Sequence, residues 1–414
     1  MNISNIFTPK NSLLLLIFSL AVLYFLIPLA VSIFFMDDPY LYKLTIITAI
    51  AIFGIYIGFL ICRKRRESLY VYYIQFERKS IKFLLFVFVL FACTYFLLCV
   101  TSDSIPIFSA ILGADPTTLS EERGAFLKQR SGFLLVVSYV FSILISSVIP
   151  FCVILLYEIK SRLRFPAALF VGFVCISFLV KAMFLNLILP LLAFGFANRR
   201  ISNKSFFATI GMIIAGIILL VNLAGYNKDV SSDSNDLDIV SFISTAYEAP
   251  SATYFFVWRA IAIPILAARD TLQVHDEQFA NRLLGGATSG TISRLSGQEN
   301  INMERIVFAH QYGGWSDIGN TNTAFMVDAY INFGYVGVFV YGLLAAFIIS
   351  YLTSTPSVAM SAMGLLFVFF LLSASLVGVI LSNGFFVLLA WLAYQQSTLK
   401  RYYIPRCKIP SRNQ

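Results

Sequence analysis

The chain has 414 residues, 59% of them hydrophobic and only 12% charged, with mean hydropathy +0.82 and formal net charge +9. Soluble proteins carry about 25% charged residues; half that density, gathered into long apolar runs, excludes a soluble globular protein and leaves a polytopic membrane protein. The positive balance does not mark a nucleic-acid binder, because the basic clusters sit in short segments between apolar runs, as positive-inside topology signals do.

Ser12 to Met36 reads as the first span. A signal peptide has an apolar region of about 7–15 residues, so this longer run predicts a retained helix. Asp37-Asp38-Pro39-Tyr40 turns the chain, and Tyr42 to Cys62 returns to Arg63-Lys64-Arg65-Arg66, the densest basic run. Phe83 to Val100 leads out to a loop ending near Gly132, and Phe133 to Tyr157 returns to Lys160, Arg162 and Arg164. Phe165 to Val180 and Ala182 to Phe196 form a tight pair with Lys181 at the turn. Phe206 to Leu223 is the seventh span, and the eighth runs from about Gly334 to Thr353. Met360 to Tyr394 is too long for one crossing at about 1.5 Å per residue, so it splits at Ser382-Asn383-Gly384.

These segments predict an all-α polytopic membrane protein of about ten spans with both termini cytoplasmic. Its parts are N-terminal spans in residues 1–224, a large outer loop in 225–322, C-terminal spans in 323–399 and a basic tail in 400–414. The loop holds both histidines, His275 and His310, and two of the three tryptophans. It carries six basic and eleven acidic residues, net −5, while the rest of the chain carries +14. That split predicts a folded cap in which function is concentrated.

The six cysteines, none of them in the loop, form neither a metal spacing nor a disulfide framework, and read as small hydrophobes. A Walker loop, a dinucleotide glycine pattern and HExxH are absent, so no cofactor or metal is expected.

Five constellations carry candidate chemistry. Glu121-Glu122-Arg123-Gly124 through Arg130-Ser131-Gly132 offers guanidinium forks that suit phosphate oxygens, or else arginines snorkelling at an interface. Lys181 stands alone between two apolar runs; Asn186 and Pro190 follow it, which would open the helix to a polar cavity. Arg259, in an apolar segment ending at Pro264, is expensive unless paired or facing a substrate, whereas Arg269-Asp270 reads as a surface pair of small consequence. His310, near Glu304-Arg305 and Tyr312-Gly-Gly-Trp-Ser-Asp317, is a natural proton carrier, with Glu248, Asp317 and Asp328 as acidic alternatives. Finally, Asp328 and Asn332 are four apart and share a helical face where the loop re-enters the membrane.

Arg259-Ala-Ile-Ala-Ile-Pro264 and Asn322-Thr-Ala-Phe-Met-Val-Asp-Ala-Tyr-Ile-Asn-Phe-Gly-Tyr-Val-Gly337 resemble strings of the Wzy-type O-antigen polymerases, the oligosaccharide repeat-unit polymerases. The general layout is similar too. Where that family commonly shows a Gly-x-Arg-like element at the outer end of a helix hairpin, this chain has Lys181. The resemblance implies the architecture of the C-type glycosyltransferases and O-antigen ligase-polymerases, in a bacterial inner membrane with the active site facing the periplasm. It implies transfer of a glycan from undecaprenyl pyrophosphate to a lipid-linked repeat unit, beside a Wzz-type chain-length regulator. Under it, Arg123, Arg130, Lys181, Arg259 and Arg269 would neutralise pyrophosphate, and His310, Glu248 or Asp328 would take the acceptor proton. An O-antigen ligase and a polysaccharide flippase or transporter remain the alternatives.

Overall fold

The computed structural model describes residues 11–63, 77–127, 130–178, 181–197, 211, 239–249, 252–313, 319–355 and 357–400. Among them there is no strand. The helices are α1 (Ser12–Phe34), α2 (Pro39–Arg63), α3 (Glu77–Val100), α4 (Pro106–Ile111), α5 (Pro116–Leu127), α6 (Gly132–Glu158), α7 (Arg164–Ser177) and α8 (Lys181–Ala197). In the long loop lie α9 (Ile239–Phe242), α10 (Ala252–Phe279), α11 (Gly290–Ser296) and α12 (Met303–Tyr312). The chain ends with α13 (Phe325–Thr353), α14 (Val358–Leu371), α15 (Leu376–Leu381) and α16 (Phe385–Lys400).

This is an all-α membrane protein. Among the described residues α1, α2, α3, α6 and α13 are each long and apolar enough to cross a bilayer, and α7, α8, α14 and α16 include shorter apolar helices. The expected seventh span and the tail beyond Lys400 lie outside the described residues. Three expectations shift in detail. The eighth span starts earlier, at Phe325, and is interrupted at Gly334, whose φ of 66° only glycine adopts without strain. The Met360–Tyr394 stretch breaks at the expected Asn383-Gly384 and also after Leu371, so three helices replace two. The apolar segment around Arg259 extends into the 28-residue α10, whose Ala262, Ile265, Leu266, Ala268 and Leu272 are buried.

The central pair is α2 against α13. Gly54 and Gly58 lie on one face of α2, one turn apart, and small residues so spaced let helix backbones approach closely in a membrane. A Cβ at Gly54 would lie 2.5 Å from the Phe339 carbonyl oxygen, and one at Gly58 would lie 2.7 Å from Ala346 Cβ. Gly342 answers from α13, where a Cβ would meet Ala51 O at 2.6 Å. Because backbone rather than flexible side chain stands opposite Gly54, nothing cheap can move. Gly54→Val should therefore cost about 1–3 kcal/mol by overpacking, read as a lower melting temperature in detergent; an unchanged melt would mean the helices can separate at no cost.

Two polar contacts tie the remaining helices to this pair. A π-helical turn, Ala21–Leu26, interrupts α1 and carries the fully buried Tyr24. Its hydroxyl donates to Leu372 O at 2.5 Å, one of the carbonyls left without an intrahelical partner where α14 ends. On the opposite end of the bundle, the Glu158 carboxylate accepts from Val358 N (2.9 Å), Ala359 N (3.0 Å) and Ser357 Oγ (2.8 Å), capping the first turn of α14. The α1–α2 turn meets the long loop, since Lys43 Nζ donates to Asn281 and Tyr40 lies beside Asp276.

Candidate functional site

The break at Gly334 builds the site. Carbonyls one turn before a helix interruption lose their i+4 donors, and the loop after α10 supplies replacements: Leu284 N donates to Ile331 O (3.0 Å) and Gly285 N to Asn332 O (2.9 Å). Gly286 N then reaches Asn332 Oδ1 at 2.9 Å. With its oxygen so engaged, the Asn332 amide must present Nδ2 inward. It donates to Thr288 Oγ1 (2.7 Å) and to Asp328 Oδ1 (3.2 Å), while the Thr288 hydroxyl donates to the same carboxylate oxygen at 2.9 Å. Asp328 is 8% exposed. Both side-chain bonds fall on Oδ1, and among the described residues Oδ2 accepts none.

Asp328 lines a cavity of about 660 Å³ roofed by the long loop and walled by helix ends. The loop contributes Thr288 to Thr291 and Arg294 around α11, Asn300 to Glu304 at the start of α12, and Asn320, Thr321 and Thr323. The bundle contributes Leu135, Val136 and Tyr139 of α6 and Ser375, Val377, Gly378, Leu381 and Ser382 around α15. Caps fix these pieces. Asn302 accepts Arg305 N (3.2 Å) to start α12, and Ser375 accepts Gly378 N (3.0 Å) to start α15. Asn322, its amide oriented to satisfy both groups, donates to the Glu304 carboxylate at 3.0 and 3.2 Å. A volume of this size with mixed apolar and polar walls is what small-molecule sites have.

No family model, curated protein or solved structure matches the chain.

The site's residues must therefore be weighed by placement alone. Of the candidate bases among the described residues, only Asp328 faces the cavity. His310 is exposed on the last turn of α12 and lines a separate cleft of about 510 Å³ with Gln278, Arg305 and Ala309. Glu248 is exposed in the coil after α9, and Asp317 lies outside the described residues. The basic candidates are dispersed. Arg123, on α5, donates Nε to Leu119 O (2.8 Å), and burial pushes its guanidinium pKa down. Arg130 reaches back to the end of α3, donating to Thr101 O (2.7 Å) and Leu98 O (3.3 Å). That is a helix C-terminal clamp, satisfying carbonyls a helix leaves orphaned. Lys181 opens α8, and Arg259 is exposed on α10 with its guanidinium over the Phe255 ring at 5.5 Å. Arg294, which does line the cavity, was not singled out by sequence; only its position inside the polar loop pointed to it.

Arg269 is not part of a surface pair. Its Nε donates to Asp38 Oδ2 (2.8 Å) and its Nη1 to Asp270 Oδ1 (2.7 Å), and both carboxylates are buried. Burial disfavours the guanidinium charge, but the hydrogen bonds and attraction of Asp270 and Asp38 outweigh it and raise the pKa above its usual value. The chain of bonds continues: Gln311 Nε2 donates to Asp270 Oδ2 (2.7 Å), and Thr321 Oγ1 donates to Gln311 Oε1 (2.8 Å). Thr321 lies on the cavity wall, so the α1–α2 turn holds the cavity's rim through five side chains.

His275 is a structural residue. Its Nε2 lies 2.9 Å from Arg282 O, its Nδ1 is buried without a partner among the described residues, and its ring stacks on Phe279. The bond secures the turn after α10, where Ala280 (φ 48°) and Asn281 (φ 59°) hold left-handed conformations. Burial, the largest influence, lowers its pKa below 6.5. A histidine depressed in the folded state contributes stability that is full above about 6.5 and is lost as pH falls through the folded value. The melting temperature should therefore drop on acidification from pH 7.5 to 5.5, and His275→Phe should flatten that part of the profile.

Proposed function

We propose that the protein is a glycosyltransferase of the Wzy-type O-antigen polymerase kind, working on lipid-linked oligosaccharides at the outer face of a bacterial inner membrane. The observation that carries this reading is the Asp328 carboxylate, anchored through Oδ1 with Oδ2 left over, in a hydroxyl- and amide-rich cavity at the mouth of a membrane bundle. In this reading an acceptor sugar hydroxyl gives its proton to Asp328 and its oxygen attacks the anomeric carbon of the donor. The bond from that carbon to undecaprenyl pyrophosphate breaks, and the diphosphate departs. Thr288 and Asn332 hold the base in place, and the lipid bilayer holds both prenyl tails so that the sugars meet. The activated donor supplies the driving force, so nothing in the step calls for a nucleotide. The same reading takes the long loop as periplasmic and the bundle as ten spans: the long and short apolar helices together with Phe206–Leu223. A Wzz-type regulator would set chain length.

The test is a lipopolysaccharide gel after deletion of the gene in its host. Core carrying one repeat unit, with the ladder gone, is the expected result; a persisting ladder would sink the reading. One feature favours transport as the second reading. The short α15, broken at both ends, lines the cavity with Ser375, Gly378 and Ser382, and discontinuous helices form substrate sites in membrane transporters. Bare core without a single-unit band would favour that second reading.

A further inference from the structure

We propose that the Asp328 cavity is an acceptor subsite for a neutral, polyhydroxylated sugar and that it rejects acidic sugars, an inference that rests on the glycan reading above. The charged side chains on its wall are Asp328, Glu304 and Arg294, two carboxylates against one guanidinium. The two acidic groups are fixed by their neighbours. Asp328 is held by Thr288 and Asn332, and Glu304 receives Asn322. Arg294 and Glu304 both stand exposed, where water screens them, whereas Asp328 is buried. An incoming carboxylate would therefore meet the buried Asp328 carboxylate, where like charges repel far more than in bulk water.

The uncharged part of the wall suits a sugar. Asn300, Asn320, Thr291 and Ser382 present donors and acceptors together, which is how a pyranose ring presents its hydroxyls. Thr323 Oγ1, on the same wall, is buried and lacks a partner among the described residues. A buried hydroxyl left unpaired is costly, so it is poised to be satisfied by what enters. Leu135, Val136 and Tyr139 give one apolar side for the C–H face of a ring.

The purified protein in detergent micelles would be offered two pools of disaccharides by saturation-transfer NMR. One pool holds neutral hexoses and N-acetylhexosamines; in the other a hexuronic acid replaces one unit. The neutral pool should receive saturation, and the acidic pool should bind at least about tenfold more weakly, a floor below the full cost of like-charge juxtaposition. In Asp328→Asn/Glu304→Gln the acidic pool should come level with the neutral one. Acidic sugars binding wild-type protein as well as neutral ones would overturn the inference and leave the glycan reading standing. Binding of neither pool to folded wild-type protein would overturn both. The wild-type comparison needs no variant, so a double variant that failed to fold would not remove the test.

Discussion

Asp328→Asn is expected to reduce polymer formation by about 10²- to 10⁴-fold, the range contributed by a positioned general base. Asparagine keeps the size of the side chain, and its amide oxygen can still accept from Thr288 and Asn332, as Asp328 Oδ1 does. What it lacks is a second oxygen able to take a proton. The loss should therefore appear without a change in protein level. Cells lacking the chromosomal gene would be complemented with wild type or variant at matched membrane abundance, and the polysaccharide ladder compared. A ladder of normal length and intensity from the asparagine variant would remove Asp328 as the base. His310→Ala and Glu248→Ala should leave the ladder intact, because neither residue faces the cavity.

The second large effect is on stability. Arg269→Met would leave Asp38 and Asp270, 4% and 5% exposed in their side chains, without their shared cation. Removing one partner of a buried pair costs about 3–5 kcal/mol, and the 28% exposure of Arg269 puts the expectation at the lower end, about 3 kcal/mol. The quantity to measure is the detergent-solubilised melting temperature. Adding Asp38→Asn to Arg269→Met should recover part of the loss, since it removes one of the stranded charges; residues in one network do not add. A variant that melted with wild type would mean that water already screens the two carboxylates. Because Gln311 and Thr321 continue the same chain to the cavity wall, the variant should also lower activity before it unfolds.

What could be read from sequence was whatever depends on near neighbours. Long apolar runs gave α1, α2, α3 and α6 to within a few residues, and the i, i+4 spacing placed Asn332 against Asp328. Ser382-Asn383-Gly384 marked a true interruption because glycine and asparagine break helices locally. The relations that bind the site together are distant ones. Arg269 and Asp38 are 231 residues apart, so the arginine looked like a neighbour of Asp270 alone. Arg130 looked like a phosphate ligand because no periodicity reveals that the end of α3 folds beneath it. Gly54 and Gly58 were unremarkable until Phe339 and Ala346 were seen opposite them. Arg294 became a cavity residue only when distant stretches of chain met around it.

The same distances bear on how the protein is made. Thr48 of α2 touches Met326, 278 residues away in the chain, and Tyr24 of α1 donates to Leu372, 348 residues away. Synthesis at about 5–20 residues per second puts roughly 15–60 seconds between α2 leaving the ribosome and its partner following. Throughout that interval the glycine face of α2 and the hydroxyl of Tyr24 lie in the bilayer without the contacts that complete them. Insertion must come well before packing, and a chain truncated ahead of α13 would present that glycine face to any other helix in the membrane.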